Sequence, residues 1–295
     1  MLAAIKTLKN KKCNIHDFSP QIIKSNSHLL APPIAQLFNQ SINLGMFPQK
    51  LKCASVIPLY KKGKKTDLNN YRPISLLNIF AKVFEKMMKK YLVKFIDDNK
   101  IISPSQYGFQ KNKSTEDALR LFSSKIYEEL DASRNVLSIF IDFSKAFDTV
   151  PHNILLNKLD HYGIRGRVKN WFADYLRNRE QTTSYQNYNS SSKNTLMGVP
   201  QGSVLGPVLF LLFINDLPNI SEVLFSILFA DDATLSICGK NPTELIEIGN
   251  AELLKLNTWC LANRLSINTL KHVISYFLID PQIPSKLNLT LVTTQ

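Results

Sequence analysis

Two apolar, strand-like runs, 223–230 (VLFSILFA) and 233–238 (ATLSIC), are separated only by Asp231 and Asp232. A two-residue connection is that of a tight β-hairpin. The spacing therefore predicts two antiparallel strands with both carboxylates at the turn. Taken by itself the pair reads in two ways. Asp is an ordinary turn residue, which makes this a plain type I′ hairpin. Against that, two adjacent like charges repel, and such turns usually take Asn-Gly or Asp-Gly.

Asp142 bears on the choice. It ends another apolar, β-branched run, 136–143 (VLSIFIDF), within IFIDFSKAFD. A carboxylate at the end of a buried strand costs desolvation energy unless something compensates. If Asp142 neighbours the hairpin, several carboxylates crowd one place, and each pair at about 4 Å costs on the order of 4 kcal/mol at an effective dielectric of about 20. Such a cluster raises its own pKa values unless divalent cations neutralise it. Two Mg²⁺ ions about 3.5–4 Å apart would do so, and would clamp the attacking and leaving oxygens of a phosphoryl transfer. Oxygen ligands without His or Cys suit Mg²⁺ rather than Zn²⁺.

The remaining chain supplies an α+β frame. Ile34, Leu37, Phe38 and Ile42 show helical spacing after a start at Pro32-Pro33, ending near Gly45 and Pro48. Residues 53–59 read as a strand, and Lys61 to Lys65 (KKGKK) as a basic loop. Ile79, Phe80, Val83, Phe84, Met87, Met88, Tyr91, Leu92 and Phe95 form the apolar stripe of a helix over 77–95. Ser114 with Asp117 opens a second helix through a capping box, to about Leu130. Helices are expected from Pro151-His152 to Tyr162 and around Trp171 to Leu176, and a polar hairpin over 181–195. An apolar helix follows GVPQGSV, another spans Thr243 to about Asn263, and a strand 273–279 comes last. Helices, strand, helices, hairpin, helix, strand is the order of an α+β chain with an antiparallel sheet.

The 295 residues suffice for one large domain or two ordinary ones. A net charge of +13 favours a polyanionic partner, nucleic acid first and acidic membrane second. The four cysteines, Cys13, Cys53, Cys238 and Cys260, form no CxxC knuckle and read as reduced intracellular thiols. The N-terminus lacks a signal-peptide core, and the apolar run from Val208 to Ile214 is far short of the roughly 20 residues needed to span a bilayer. A soluble chain with no membrane partner is expected.

IFIDFSKAFDTVPH resembles the first palm motif of reverse transcriptases of non-LTR (LINE-type, Jockey-like) retrotransposons. GVPQGSVLGPVLFLLFINDLP resembles the second, FADD the third, and LSIN followed by Lys271 the fourth. Upstream, IPLYKKGKKTDLNNYRPISLLN resembles the fingers motif, and SQYGFQKNKSTEDAL the one after it. The six occur in the family's order across roughly residues 50–275.

The resemblance implies a right-hand polymerase with fingers and palm over 51–280, built on an antiparallel palm sheet. A helical N-terminal extension covers 1–50, and a truncated tail 281–295. It implies that Asp142 and Asp231 hold two Mg²⁺ ions, with Asp232 beside them and the backbone carbonyl of Phe143 as a further ligand. Phe147 falls at the aromatic steric gate that selects dNTP; the alternative is core packing. Gln201 would contact the incoming nucleotide, Gly202 would allow its close approach, and Arg72 would bind triphosphate with help from a lysine of the 61–65 run. Lys271 would protonate the pyrophosphate leaving group, unless it is an ordinary surface lysine. The partners implied are an RNA template, a DNA primer and dNTPs.

The chain departs from the family in places. KKCNIHDFSPQII lacks the usual Gly-Pro-Asp-Gly turn, and His272 stands where Thr is usual. The chain stops before the primer-grip motif, no endonuclease precedes the polymerase, and the thumb is expected to be missing. A fragment of a retrotransposon protein is thus expected. The rival reading is a nucleic-acid-binding remnant without catalysis, and a third is RNA-templated RNA synthesis, which Phe147 disfavours.

Overall fold

The computed structural model of the chain describes residues 1–10, 18–186, 188–268 and 273–278. In chain order the elements are α1 (Leu2–Lys6), α2 (Pro20–Ser25), α3 (Ser27–Leu44), β1 (Cys53–Tyr60), β2 (Tyr71–Leu77), α4 (Ile79–Asp98) and α5 (Thr115–Asp131). Then come β3 (Asn135–Asp142), α6 (His152–His161), α7 (Gly166–Leu176), β4 (Arg179–Tyr185), β5 (Tyr188–Asn189) and β6 (Lys193–Thr195). The last are α8 (Gly206–Ile214), β7 (Phe225–Phe229), β8 (Asp232–Gly239), α9 (Pro242–Asn263) and β9 (Val273–Phe277).

The chain divides into two compact units. The first comprises 1–101 and 150–212, the second 102–149 and 213 onward. In the first, a sheet of order β2-β1-β4-β5, with β6 also paired to β4, stands with α4, α6 and α7. Asn78 caps α4, its Oδ1 accepting from the Phe80 N–H at 2.9 Å. The helix then buries Ile79, Val83, Phe84, Met88, Leu92 and Ile96, as the three-to-four spacing requires. Phe47 is the hub of this core. Its ring meets Trp171 at 5.3 Å, Tyr175 at 5.2 Å and Phe84 at 6.1 Å, all edge-on.

The second unit is built on a four-stranded antiparallel sheet, β7-β8-β3-β9. β3 lies inside it and is buried along almost its whole length, because α5 and α9 both pack against it. Phe122 of α5 sets its ring edge-on against Phe140 and Phe277. Ser138 and Ser236, opposite each other on β3 and β8, satisfy their buried hydroxyls mutually at 2.8 Å. The Ser114–Asp117 capping box on α5 is present.

Three expectations need correction. The hairpin turn is Ala230-Asp231, since Phe229 pairs with Asp232. Asp232 is therefore the first residue of β8 and not part of the turn. The inward alternation Ala233, Leu235, Ile237 sets this register. Second, α3 starts at Ser27 and runs through Pro32 and Pro33. The carbonyls those prolines leave without a partner belong to His28 and Leu29, both exposed and open to water. Third, the antiparallel sheet is joined by a second sheet in which β1 and β4 pair in parallel. Among the described residues Cys53, Cys238 and Cys260 are free thiols, and no helix is long and apolar enough to cross a membrane. Cys13, and the tail 281–295, lie outside the described residues.

Candidate active site

At one end of the second unit's sheet the register places Asp142, the last residue of β3, directly opposite Asp232, the first of β8. Directly opposed residues share a face of the sheet, with Cβ atoms about 4.5–5.5 Å apart. Asp231 precedes this pair in the turn. Asp142 and Asp231 are half-buried and Asp232 is exposed. The three predicted carboxylates thus lie at one end of one sheet.

Asp142 is oriented from a direction the sequence reading passed over. Asn268 donates from Nδ2 to Asp142 Oδ2 at 2.8 Å, and its backbone N–H donates to the Asp142 carbonyl at 2.8 Å. Ser144 N–H donates to the Ser266 carbonyl, and Phe143 bridges to Ile267. The LSIN segment is therefore a short antiparallel partner of 142–144. Its one sequence signal is the Asn that closes the motif.

Phe143 is buried, with its ring 6.3 Å from that of Trp259. Beyond it the chain turns tightly, Asp148 N–H donating to the Lys145 carbonyl at 2.8 Å. Phe147 stands on this turn, half-buried, and meets the exposed ring of Phe109 edge-on at 6.3 Å. It is not a residue of the packed core.

Arg72, Gln201 and Gly202 belong to the first unit. Arg72 is exposed on β2. Three residues on, Ser75 N–H donates to the Gln201 carbonyl at 2.7 Å, so the loop over 198–205 runs beside that strand. Gly202 has φ of +107°, and a Cβ there would meet the Ser75 carbonyl oxygen at 2.8 Å, so only glycine fits without displacing backbone. The basic run is an ordered loop between β1 and β2. Tyr60, Tyr71 and Asn70 donate to the carbonyls of Gly63, Lys65 and Lys64.

The loop carrying Gln201 rests on a buried carboxylate that the sequence reading did not single out. Glu85 on α4 is 0% exposed. Its Oε1 accepts from the Tyr175 hydroxyl at 2.7 Å and its Oε2 from the Val204 N–H at 2.6 Å. Burial pushes the Glu85 carboxyl above its usual range, and the two hydrogen bonds and the charge of Arg179 pull the other way. Arg179 is buried too, with its guanidinium 4.9 Å over the Tyr175 ring.

The donor set at the sheet end is carboxylate only, which fits a hard cation such as Mg²⁺. Among the described residues no group of three or more His, Cys, Asp or Glu side chains converges as a metal site. The register opposes Asp142 and Asp232, with Asp231 in the adjoining turn. Lys271 lies outside the described residues.

A model of the family described as reverse transcriptase (RNA-dependent DNA polymerase) matches residues 61–288. Three curated proteins are similar to the chain. A probable RNA-directed DNA polymerase from transposon BS of Drosophila melanogaster is 28% identical over 96% of this chain and 32% of its own length. The RNA-directed DNA polymerases from mobile element jockey of Drosophila melanogaster and Drosophila funebris are 34% and 30% identical. They cover 64% and 79% of this chain, and 21% and 26% of their own lengths. The chain spans about a third or less of these relatives.

Proposed function

The chain belongs to the reverse transcriptase (RNA-dependent DNA polymerase) family, its relatives being polymerases of Jockey-type non-LTR retrotransposons, and on that premise we propose that it carries out RNA-templated DNA synthesis. The observation that carries the reading is the register that opposes Asp142 and Asp232 beside Asp231 in a two-residue turn. The second unit is read as the palm. The first unit's sheet and basic loop are read as fingers within 51–280, with 1–50 as a helical extension.

In the reaction the primer 3′-oxygen bonds to the α-phosphorus of a dNTP, the bond to pyrophosphate breaks, and the 3′-hydroxyl proton is lost. Asp142 and Asp231, with Asp232 and the Phe143 carbonyl, would hold two Mg²⁺ ions, which when bound supply Lewis-acid stabilisation of the charge developing at the reacting oxygens. Asn268 fixes the rotamer of Asp142. Phe147 closes the space a ribose 2′-hydroxyl would occupy. Arg72 and the Lys61–Lys65 loop neutralise triphosphate, Gln201 and Gly202 meet the nucleotide, and Lys271 protonates the leaving pyrophosphate. RNA template, DNA primer and dNTPs are the proposed partners, inside the cell. Phe147, away from the packed core, supports selection of dNTP over rNTP.

Primer extension on an RNA template with Mg²⁺ tests this. The chain should add dNTP in preference to rNTP, and Phe147→Val should admit rNTP. The rival reading, a binding remnant, would appear as salt-sensitive binding of primer–template with no incorporation. Preference for rNTP in the unaltered chain would point instead to RNA synthesis.

A further inference from the structure

The segment 103–113 lies along the free side of β7 and reaches the hairpin tip. Leu228 N–H donates to the Ser105 carbonyl at 2.8 Å, and Tyr107 N–H donates to the Leu228 carbonyl at 2.7 Å. The segment is itself anchored. Ser103 N–H donates to Asn215 Oδ1, and Lys113 Nζ donates to the carbonyls of Pro104 and Gln106, both at 2.7 Å. At its centre is Gln106, 1% exposed. Gln106 Oε1 accepts from the Gly108 N–H at 2.8 Å and from the Ala230 N–H at 3.1 Å. Gly108 lies so close to the turn that a Cβ there would fall 2.2 Å from the Ala230 nitrogen.

Ala230 needs such support. It adopts φ of +59°, in the left-handed region, while Asp231 does not. A positive φ at the first of two turn residues is the type II′ pattern, where glycine is usual. In an Ala it costs about 1 kcal/mol or more, so the surroundings must hold it. Gln106 accepts from the nitrogen of that residue, one residue before Asp231, the proposed metal ligand. The rest of its amide contributes no hydrogen bond, because Nε2 has no partner among the described residues.

We propose that Gln106 is a positioning residue for catalysis, its side-chain carbonyl fixing the strained Ala230-Asp231 turn so that the Asp231 carboxylate points to where metal and nucleotide react. This rests on Asp231 acting in the reaction. A bare packing role would depend on the volume of the side chain. A positioning role depends on its acceptor oxygen.

Three variants separate the two, read by amide exchange over 225–235 and by single-turnover dNTP incorporation on an RNA template. Gln106→Leu keeps the volume and loses the acceptor. It should speed exchange at Ala230 about tenfold and lower the maximal rate about tenfold, with KM for dNTP unchanged. Gln106→Glu keeps an acceptor oxygen in place of the amide, at the cost of a buried carboxyl beside Asp231, so it is read by exchange alone and should restore slow exchange. Adding Ala230→Gly to Gln106→Leu removes the backbone strain and should recover most of the rate. If Gln106→Leu exchanges and reacts like the unaltered chain, or if Gln106→Glu exchanges as fast as Gln106→Leu, the proposal is wrong. Should Gln106→Leu fail to fold, Gln106→Asn, too short to reach Ala230, takes its place under the same criteria. If the unaltered chain adds no nucleotide, the polymerase reading falls, and exchange alone still decides whether Gln106 holds the turn.

Discussion

Glu85 in the first unit is fully buried, and both its carboxylate oxygens accept hydrogen bonds, from Tyr175 and from Val204 N–H. Asp232 in the second unit stands exposed at the start of β8, opposite another carboxylate. In the first case the fold surrounds the group with donors and uses it to hold a loop. In the second it places two carboxylates at directly opposed positions at a sheet end, where like charges disfavour each other. On the proposed function, the contrast separates a carboxylate spent on structure from carboxylates kept for chemistry. Substitution should therefore harm folding at Glu85 and activity at the aspartates.

The largest effect is expected at the sheet end. Asp142→Ala should reduce nucleotide incorporation by about 10³-fold or more, as loss of a group acting on transition-state charge does. Its melting temperature should fall much less than that of Glu85→Ala, since the lost acceptor for Asn268 Nδ2 is half-buried and a like-charge pair is relieved. Loss of folding in that variant would erase the contrast. Glu85→Ala should do the reverse, leaving the Tyr175 hydroxyl and the Val204 N–H without their acceptor. A loss of about 3 kcal/mol in unfolding free energy is expected, and urea unfolding measures it.

Asn268→Leu sharpens the comparison from within the site. It removes the hydrogen bond to Asp142 Oδ2 and should lower the maximal rate about tenfold with little change in melting. The smallest effect concerns pH. Burial raises the Glu85 carboxyl above its ordinary value of 4.5, so the folded chain keeps a proton that the unfolded chain has lost. The contribution of Glu85 to stability should thus be fullest below pH 4.5 and be lost as pH rises through the folded value. Glu85→Gln should flatten that slope, which thermal melts across the acid range would show.

Most helices were legible because their signals are local. The apolar stripe of α4 and the capping box of α5 depend on residues three or four apart, which the sequence displays directly. The hairpin was legible in kind, but its turn was read one residue late. Two adjacent aspartates look like a turn, whereas the turn is fixed by Gln106 and Gly108, more than a hundred residues away in sequence. The parallel pairing of β1 with β4 was hidden for the same reason, its strands being joined through α4, β3 and α6. Glu85 was not singled out because its partners, Tyr175 and Val204, carry no motif. The three aspartates were found because the chemistry of like charges is visible in sequence.

On the proposed function Asp231 acts chemically and not as a turn residue. Single-turnover incorporation of dTTP on a poly(rA)/oligo(dT) primer–template, in Mg²⁺, with the unaltered chain and Asp231→Asn, tests it most directly. Asn suits the turn as well as Asp and removes only the charge. The account predicts incorporation by the unaltered chain and none measurable by the variant, with equal melting temperatures. Equal rates in the two proteins would contradict it.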